Sequence, residues 1–339
     1  MTRWRLLRRG VGSTLSGTLL ALIMMSAMGA VRAPVHTAAL TDASAAKSPE
    51  VSAPRATTAS TVYDDTGQPV ALPAPPRRIV SLAPGATEML FAAGAGDRLI
   101  ATVDYSDEPA AAKRVPRIGD VTAVDIERLV ALHPDLVIVW PGGGNPAQIE
   151  RIAQLGIPIY RQQVNRLADL PVSLRRLGAL AADRSIAERA ARTLEAQLAR
   201  VAREYGGRKQ PTVLLEVWNR PIYTVGGRHL MSDALTLCGA RNVFGDLKEL
   251  GPVIDTEAVI ARDPDFIVAA APPGEGANWV AEWRRFPSLS AVRSGRLIAF
   301  EDQRLSRLGP SVVPATEALC KVLAGRSEPD PGSSRSAQH

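Results

Sequence analysis

Apolar residues along this chain keep two rhythms. Some form short runs rich in Val, Ile and Leu; others recur every three or four positions over longer stretches. The runs at 78–82, 99–103, 158–160, 212–217 and 296–300 predict strands. The stretches at 87–93, 146–155, 231–237, 279–286 and 313–323 predict helices. Strands that alternate with helices form parallel-type sheets covered on both faces, so the predicted fold class is α/β.

The pattern also repeats. Residues 125–140 (DIERLVALHPDLVIVW) align at a constant offset of 130 with 255–270 (DTEAVIARDPDFIVAA). Asp125/Asp255, Glu127/Glu257, Ala131/Ala261, Pro134/Pro264 and Asp135/Asp265 are identical, and the apolar positions match in kind. Each copy reads as an Asp cap, a two-turn helix, a Pro-Asp turn and a strand. A weaker pair, 90–97 and 235–242, places a helix stop at Gly94 and Gly239. Between the halves, 167–205 shows no strand pattern. Its second part keeps Ile186, Ala190, Leu194, Leu198 and Val201 on one face, a rod of about 30 Å. The expected architecture is two Rossmann-like lobes, 61–166 and 209–325. A helical linker (167–208) joins them through a long rigid backbone helix, with a ligand cleft between the lobes.

The ends of the chain read differently. Residues 1–10 are basic, 11–30 apolar and small, and Val31-Arg32-Ala33 offers a cleavage site. That order predicts a secretory signal peptide over 1–33 rather than an anchor, followed by a disordered tether of Ala, Ser, Thr and Pro at 34–60. A similar disordered tail is expected at 326–339. The net charge of +6 owes four positive charges to Arg3, Arg5, Arg8 and Arg9. Elsewhere Arg and Lys are dispersed among carboxylates, which argues against a nucleic-acid face.

Candidate chemistry is sparse. The four histidines, His36, His133, His229 and His339, form no ligand motif, and no nucleophile elbow or phosphate loop is present. No catalytic residue, metal site or cofactor is assigned; a secreted metal-dependent enzyme using cleft carboxylates is the minority alternative. Tyr105, Trp140, Trp218 and Tyr223 follow predicted strands, where ligands bind in open α/β sheets, and Arg304 and Arg307 follow the last strand. Pro141-Gly-Gly-Gly144 allows close backbone approach to a ligand. Glu127 and Glu257 sit in first helical turns, where a carboxylate offsets the helix dipole; exposed, they would also make one docking point per lobe. Export permits a disulfide, and Cys238 and Cys320, both in the second predicted lobe, favour a bridge over two buried thiols.

From about residue 61 to 323 the chain resembles the periplasmic cobalamin-binding components of ABC importers, in the helical-backbone metal-receptor class. The matching stretches are 78–88 (RIVSLAPGATE), 105–107 (YSD), 125–140 with 142–145, 216–218 (EVW), 221–226 (PIYTVG), 238–239, 242–244 (NVF) and 305–310 (LSRLGP). The resemblance implies a monomeric periplasmic receptor that holds a corrinoid between its lobes and delivers it to a membrane permease and its ATPase. It implies permease docking by Glu127 and Glu257, pocket roles for Tyr105 and Arg307, and a Cys238–Cys320 disulfide. Val121 and Gly251 lie where such a receptor would place tryptophans, with Trp218 compensating from the facing lobe. A ferric-siderophore or haem receptor of the same architecture is the alternative. The first needs clustered Arg or Lys, the second an axial group such as Tyr105 or His229.

Overall fold

A computed structural model describes residues 60–180, 184–207 and 210–325. The predicted signal peptide, nearly all of the tether and the tail lie outside the described residues.

The described chain opens on an antiparallel hairpin, β1 (Ser60–Tyr63) and β2 (Pro69–Leu72). Buried Asp64 closes its turn by accepting from the backbone amides of Thr66 and Gln68, and its second oxygen accepts from Arg161 N.

The first lobe follows as β3 (Ile79–Ser81), α1 (Pro84–Ala92), β4 (Leu99–Ala101), α2 (Ile126–Ala131), β5 (Leu136–Val139), α3 (Pro146–Gln154) and β6 (Ile159–Arg161). α1 starts three residues before its predicted position, because Pro84 at the first helical position has φ pre-set and no amide to satisfy. The sheet is parallel, in the order β4-β3-β5-β6.

Two helices then cross to the second lobe: α4 (Asp169–Leu180) and α5 (Arg184–Tyr205). The 22 residues of α5 span about 33 Å. Its deepest face is Ala187, Ala191, Leu194, Val201 and Tyr205, with Ile186, Ala190 and Leu198 half-buried beside it. α4 packs tightly on α5 at Gly178, where a Cβ would come 2.2 Å from that of Ala187.

The second lobe contains β7 (Thr212–Glu216), β8 (Ile222–Tyr223), α6 (Leu230–Leu237), β9 (Arg241–Asn242), β10 (Val253–Ile254) and α7 (Thr256–Arg262). It continues through β11 (Phe266–Ala270), α8 (Gly276–Trp283), α9 (Ser290–Arg293), β12 (Leu297–Phe300) and α10 (Val312–Gly325). Its parallel sheet runs β12-β11-β7-β9, while β8 and β10 form a small antiparallel pair of their own. Numbered within each lobe, both sheets have the order 2-1-3-4. The sequence repeat, α2–β5 and α7–β11, supplies the third strand of each.

Behind the two sheets lies one apolar core. Ile79, Leu136 and Tyr160 of the first lobe, Leu174 and Ala187 of the linker helices, and Leu215, Phe266 and Leu319 of the second belong to it. The outer face of each sheet has a separate core, around Val137 and Ile152 in one lobe and Ile267 and Val259 in the other. Central strands buried on both faces explain their unbroken apolar runs. A Cys238–Cys320 disulfide ties the end of α6 to α10. The lobes are therefore distinct as sheets but joined through packed helices.

Candidate functional site

The carboxyl ends of β4, β5 and β12 deliver loops that meet between the lobes. After β4, a buried hydroxyl cluster fixes the chain: Thr87 Oγ1 and Thr102 Oγ1 lie 2.7 Å apart, and Thr102 donates to Ser106 Oγ at 2.9 Å. Arg117 donates to the Ser106 carbonyl at 2.6 Å. With Ser106 held inside, Tyr105 takes a left-handed backbone (φ 62°) and its side chain is turned outward, 75% exposed. Such a conformation costs a non-glycine residue of order 1–3 kcal/mol.

After β5, the Trp140 carbonyl accepts from the amides of Gly143 and Gly144, folding the glycine turn back over the indole. A Cβ on Gly143 would sit 2.0 Å from Trp140 Cζ3, so only glycine lets the turn lie against the ring. A Cβ on Gly142 would come within 3.2 Å of Leu250 in the other lobe, which places this turn at the seam between them.

The loop after β12 meets α1. A Cβ on Gly85 would lie 2.6 Å from the Leu308 backbone, and Gln162 Nε2 donates to the Leu308 carbonyl at 3.1 Å. Around this contact lies a cavity of about 180 Å³, lined by Pro84, Gly85, Val121 and Trp140 from one lobe and by Arg307 and Leu308 from the other. Arg307 is held by ion pairs to Asp107 and Glu88. Ser311 N also donates to Glu88 Oε2 at 3.0 Å. Burial pushes the Glu88 carboxyl above its ordinary pKa, against the opposing effects of Ser311 and Arg307.

Of the six residues expected to contact ligand, the structure gathers Trp140 and Arg307 at this cavity. Tyr105, Trp218 and Tyr223 stand outside its lining. Trp218 is 51% exposed, edge-on to Trp279 with ring centroids 6.2 Å apart, and Tyr223 bridges back to it. Arg304 also stands outside the cavity lining, and its fork binds both oxygens of Asp302, at 2.8 and 2.6 Å, holding that carboxyl below its ordinary pKa. Gln162 also lines the cavity, and Glu88 and Asp107 hold Arg307 at it; none of the three is among the residues expected from sequence. Glu88 and Asp107 lie inside the matching stretches 78–88 and 105–107, but nothing local shows that a distant arginine would reach them.

His229 caps α6 by accepting from Met231 N through Nδ1, and burial lowers its pKa to about 4. Among the described residues, no group of three or more His, Cys, Asp or Glu could hold a metal ion. A second cavity, about 370 Å³, lies in the second lobe beside Glu257, with Glu216 and Trp283 in its wall. Glu216 is buried, its Oε2 accepting from Trp283 Nε1 at 2.8 Å, and burial pushes its pKa up to about 7.

Glu127 and Glu257 are exposed at equivalent positions. Asp125 and Asp255 cap their helices through Arg128 N and Ala258 N, at 2.9 and 2.7 Å. In a strand–helix–strand unit the helix runs back against the strands, so each glutamate lies toward the carboxyl edge of its sheet.

Residues 79–303 match a family described as periplasmic binding protein. A vitamin B12-binding protein of Pectobacterium carotovorum is 33% identical over 261 residues, covering 76% of this chain and 91% of its own. The crystal structure of the periplasmic vitamin B12-binding protein of Vibrio cholerae aligns with a TM-score of 0.69 at 30% identity, over 75% of this chain and 99% of that one. A periplasmic haem-binding protein of Roseiflexus, in apo form, shares the fold at 24% identity, with a TM-score of 0.63 over 74% of this chain and 99% of its own.

Proposed function

The chain belongs to the periplasmic binding protein family, and on that premise we propose that it binds cobalamin or a close corrinoid between its lobes for an ABC importer. It is a binding protein and not an enzyme. The observation that carries the ligand reading is the seam cavity, where Trp140 of one lobe faces Arg307 of the other. At about 180 Å³ it is smaller than the usual drug-sized pocket. A bulky cargo would therefore seat one edge in it and extend beyond it, where the exposed rings of Tyr105 and Trp218 could take part. Aromatic rings offer wide, flat, partly polar contact, which suits a macrocycle. His229 is held as a helix cap, which fits a cargo held by shape and aromatic contact rather than through a histidine on its metal.

Members of this family in ABC importers deliver ligand to a membrane permease. In this chain the exposed pair Glu127 and Glu257 would dock on matching arginines, and the leader at 1–33 would direct the protein to the periplasm, where it acts as a monomer. Calorimetric titration of the purified protein tests the ligand. Cyanocobalamin is expected to bind at one per chain. Silence toward cyanocobalamin with clear uptake of haemin, for which the exposed Tyr105 phenol offers an axial ligand, or of a ferric hydroxamate, would overturn the reading.

A further inference from the structure

Two exposed helix faces, one in each lobe, present the same three side-chain types at the same spacing. On α2 they are Glu127, Val130 and Ala131; on α7 they are Glu257, Ile260 and Ala261. Residues at i, i+3 and i+4 share one face of a helix. Asp125/Asp255 and Asp135/Asp265 are also kept, the first as helix caps and the second by accepting from backbone amides, but other positions have drifted: Ile126 faces Thr256 in the alignment, Arg128 faces Ala258, Leu132 faces Arg262 and His133 faces Asp263.

Packing does not account for what is retained. Leu129 and Val259 are fully buried and anchor the two helices, whereas Val130 is 39% and Ile260 37% exposed. Helix formation suits the glutamates, through the dipole, and the alanines, but not the exposed Val130 and Ile260, since β-branched residues are among the weaker helix formers. Among the described residues, no hydrogen bond or ion pair engages Glu127 or Glu257. Each lobe thus holds, at its sheet's carboxyl edge, a free carboxylate one turn from an exposed aliphatic group and an alanine small enough to admit a close neighbour.

We propose that each face is a mixed polar and apolar seat for the permease, with Val130 and Ile260 bearing on apolar side chains of the partner while the glutamates hold its guanidinium groups. This rests on the docking role given above to Glu127 and Glu257. The partner surface it calls for is a pair of segments in which an arginine stands beside an apolar side chain. An apolar contact around an ion pair excludes water from it and thereby strengthens it.

The test is cyanocobalamin uptake by cells whose own copy of this gene is deleted and replaced. V130S with I260S is expected to leave calorimetric affinity for cyanocobalamin unchanged and to cut uptake by about tenfold or more, roughly 1.4 kcal/mol of docking energy. V130L with I260L, which keeps the apolar surface, is expected to transport normally. Should the double serine variant lose ligand binding, V130S and I260S singly carry the same expectation. Normal uptake by the serine variants while E127A with E257A fails would overturn the apolar seats and leave docking by the glutamates standing. Normal uptake by E127A with E257A would overturn docking itself.

Discussion

Arg307, in the loop after β12, places Nη2 2.5 Å from Asp107 Oδ1 in the facing lobe. Its Nη1 lies 3.6 Å from Glu88 Oε1, and only 11% of the side chain reaches solvent. The same guanidinium therefore lines the seam cavity and ties the lobes together across it.

Removing that guanidinium leaves Glu88 buried without its countercharge, the situation in which a lost ion-pair partner is costly. Asp107 is half exposed and loses less. Arg307→Ala is expected to lower stability by about 3 kcal/mol in urea denaturation, and to weaken cyanocobalamin binding by about tenfold or more. Unchanged affinity with lowered stability would confine Arg307 to the contact between lobes.

Tyr105 combines a left-handed backbone with an unpacked ring, so its stability and binding contributions oppose each other. Tyr105→Gly relieves the conformation and gives up little packing. It is expected to gain about 1 kcal/mol of stability. The same variant should bind cyanocobalamin about tenfold more weakly, through loss of aromatic contact. A variant that is both less stable and equally tight-binding would contradict the role given to the ring.

Glu216 makes stability depend on pH. Its carboxyl titrates near 7 in the folded protein and near its ordinary 4.5 when unfolded. Between those values the folded state holds more protons, so stability falls as pH rises through that window, by on the order of 3 kcal/mol. His229 acts in the opposite sense: its folded value of about 4 lies below its ordinary 6.5, and stability rises with pH between them. The two effects overlap in the wild type, and the difference from Glu216→Gln isolates the first. That amide still accepts from Trp283 Nε1. The variant is expected to gain about 3 kcal/mol relative to wild type between pH 4 and pH 8; a difference constant across that range would contradict a buried, protonatable Glu216.

Much of this architecture is legible in residue order. The repeat at 125–140 and 255–270 marks the third strand of both sheets, and the apolar stripe from Ile186 to Val201 marks the helix that spans the lobes. What escapes is decided over distance. α8 runs over Gly276–Trp283 instead of 279–286 because Glu301, from beyond β12, accepts from Gly274 N and Gly276 N at its start. The β1–β2 hairpin is too short for its alternation, with Val70 and Leu72 buried between exposed Pro69 and Ala71, to stand out in the sequence. Arg304 and Arg307 both follow the last strand, and only the resemblance singles out Arg307. Folding pairs Arg304 with Asp302, two residues away, and carries Arg307 to Asp107 and Glu88 in the opposite lobe.

The central claim is that both lobes grip one bulky cargo while the helices behind them stay fixed. Amide hydrogen exchange with and without cyanocobalamin measures this directly. The account predicts added protection at 103–107, 140–144 and 304–308 together, with α4 and α5 unchanged. Protection in one lobe only, or exchange altered along α5 while those loops are unaffected, would contradict it.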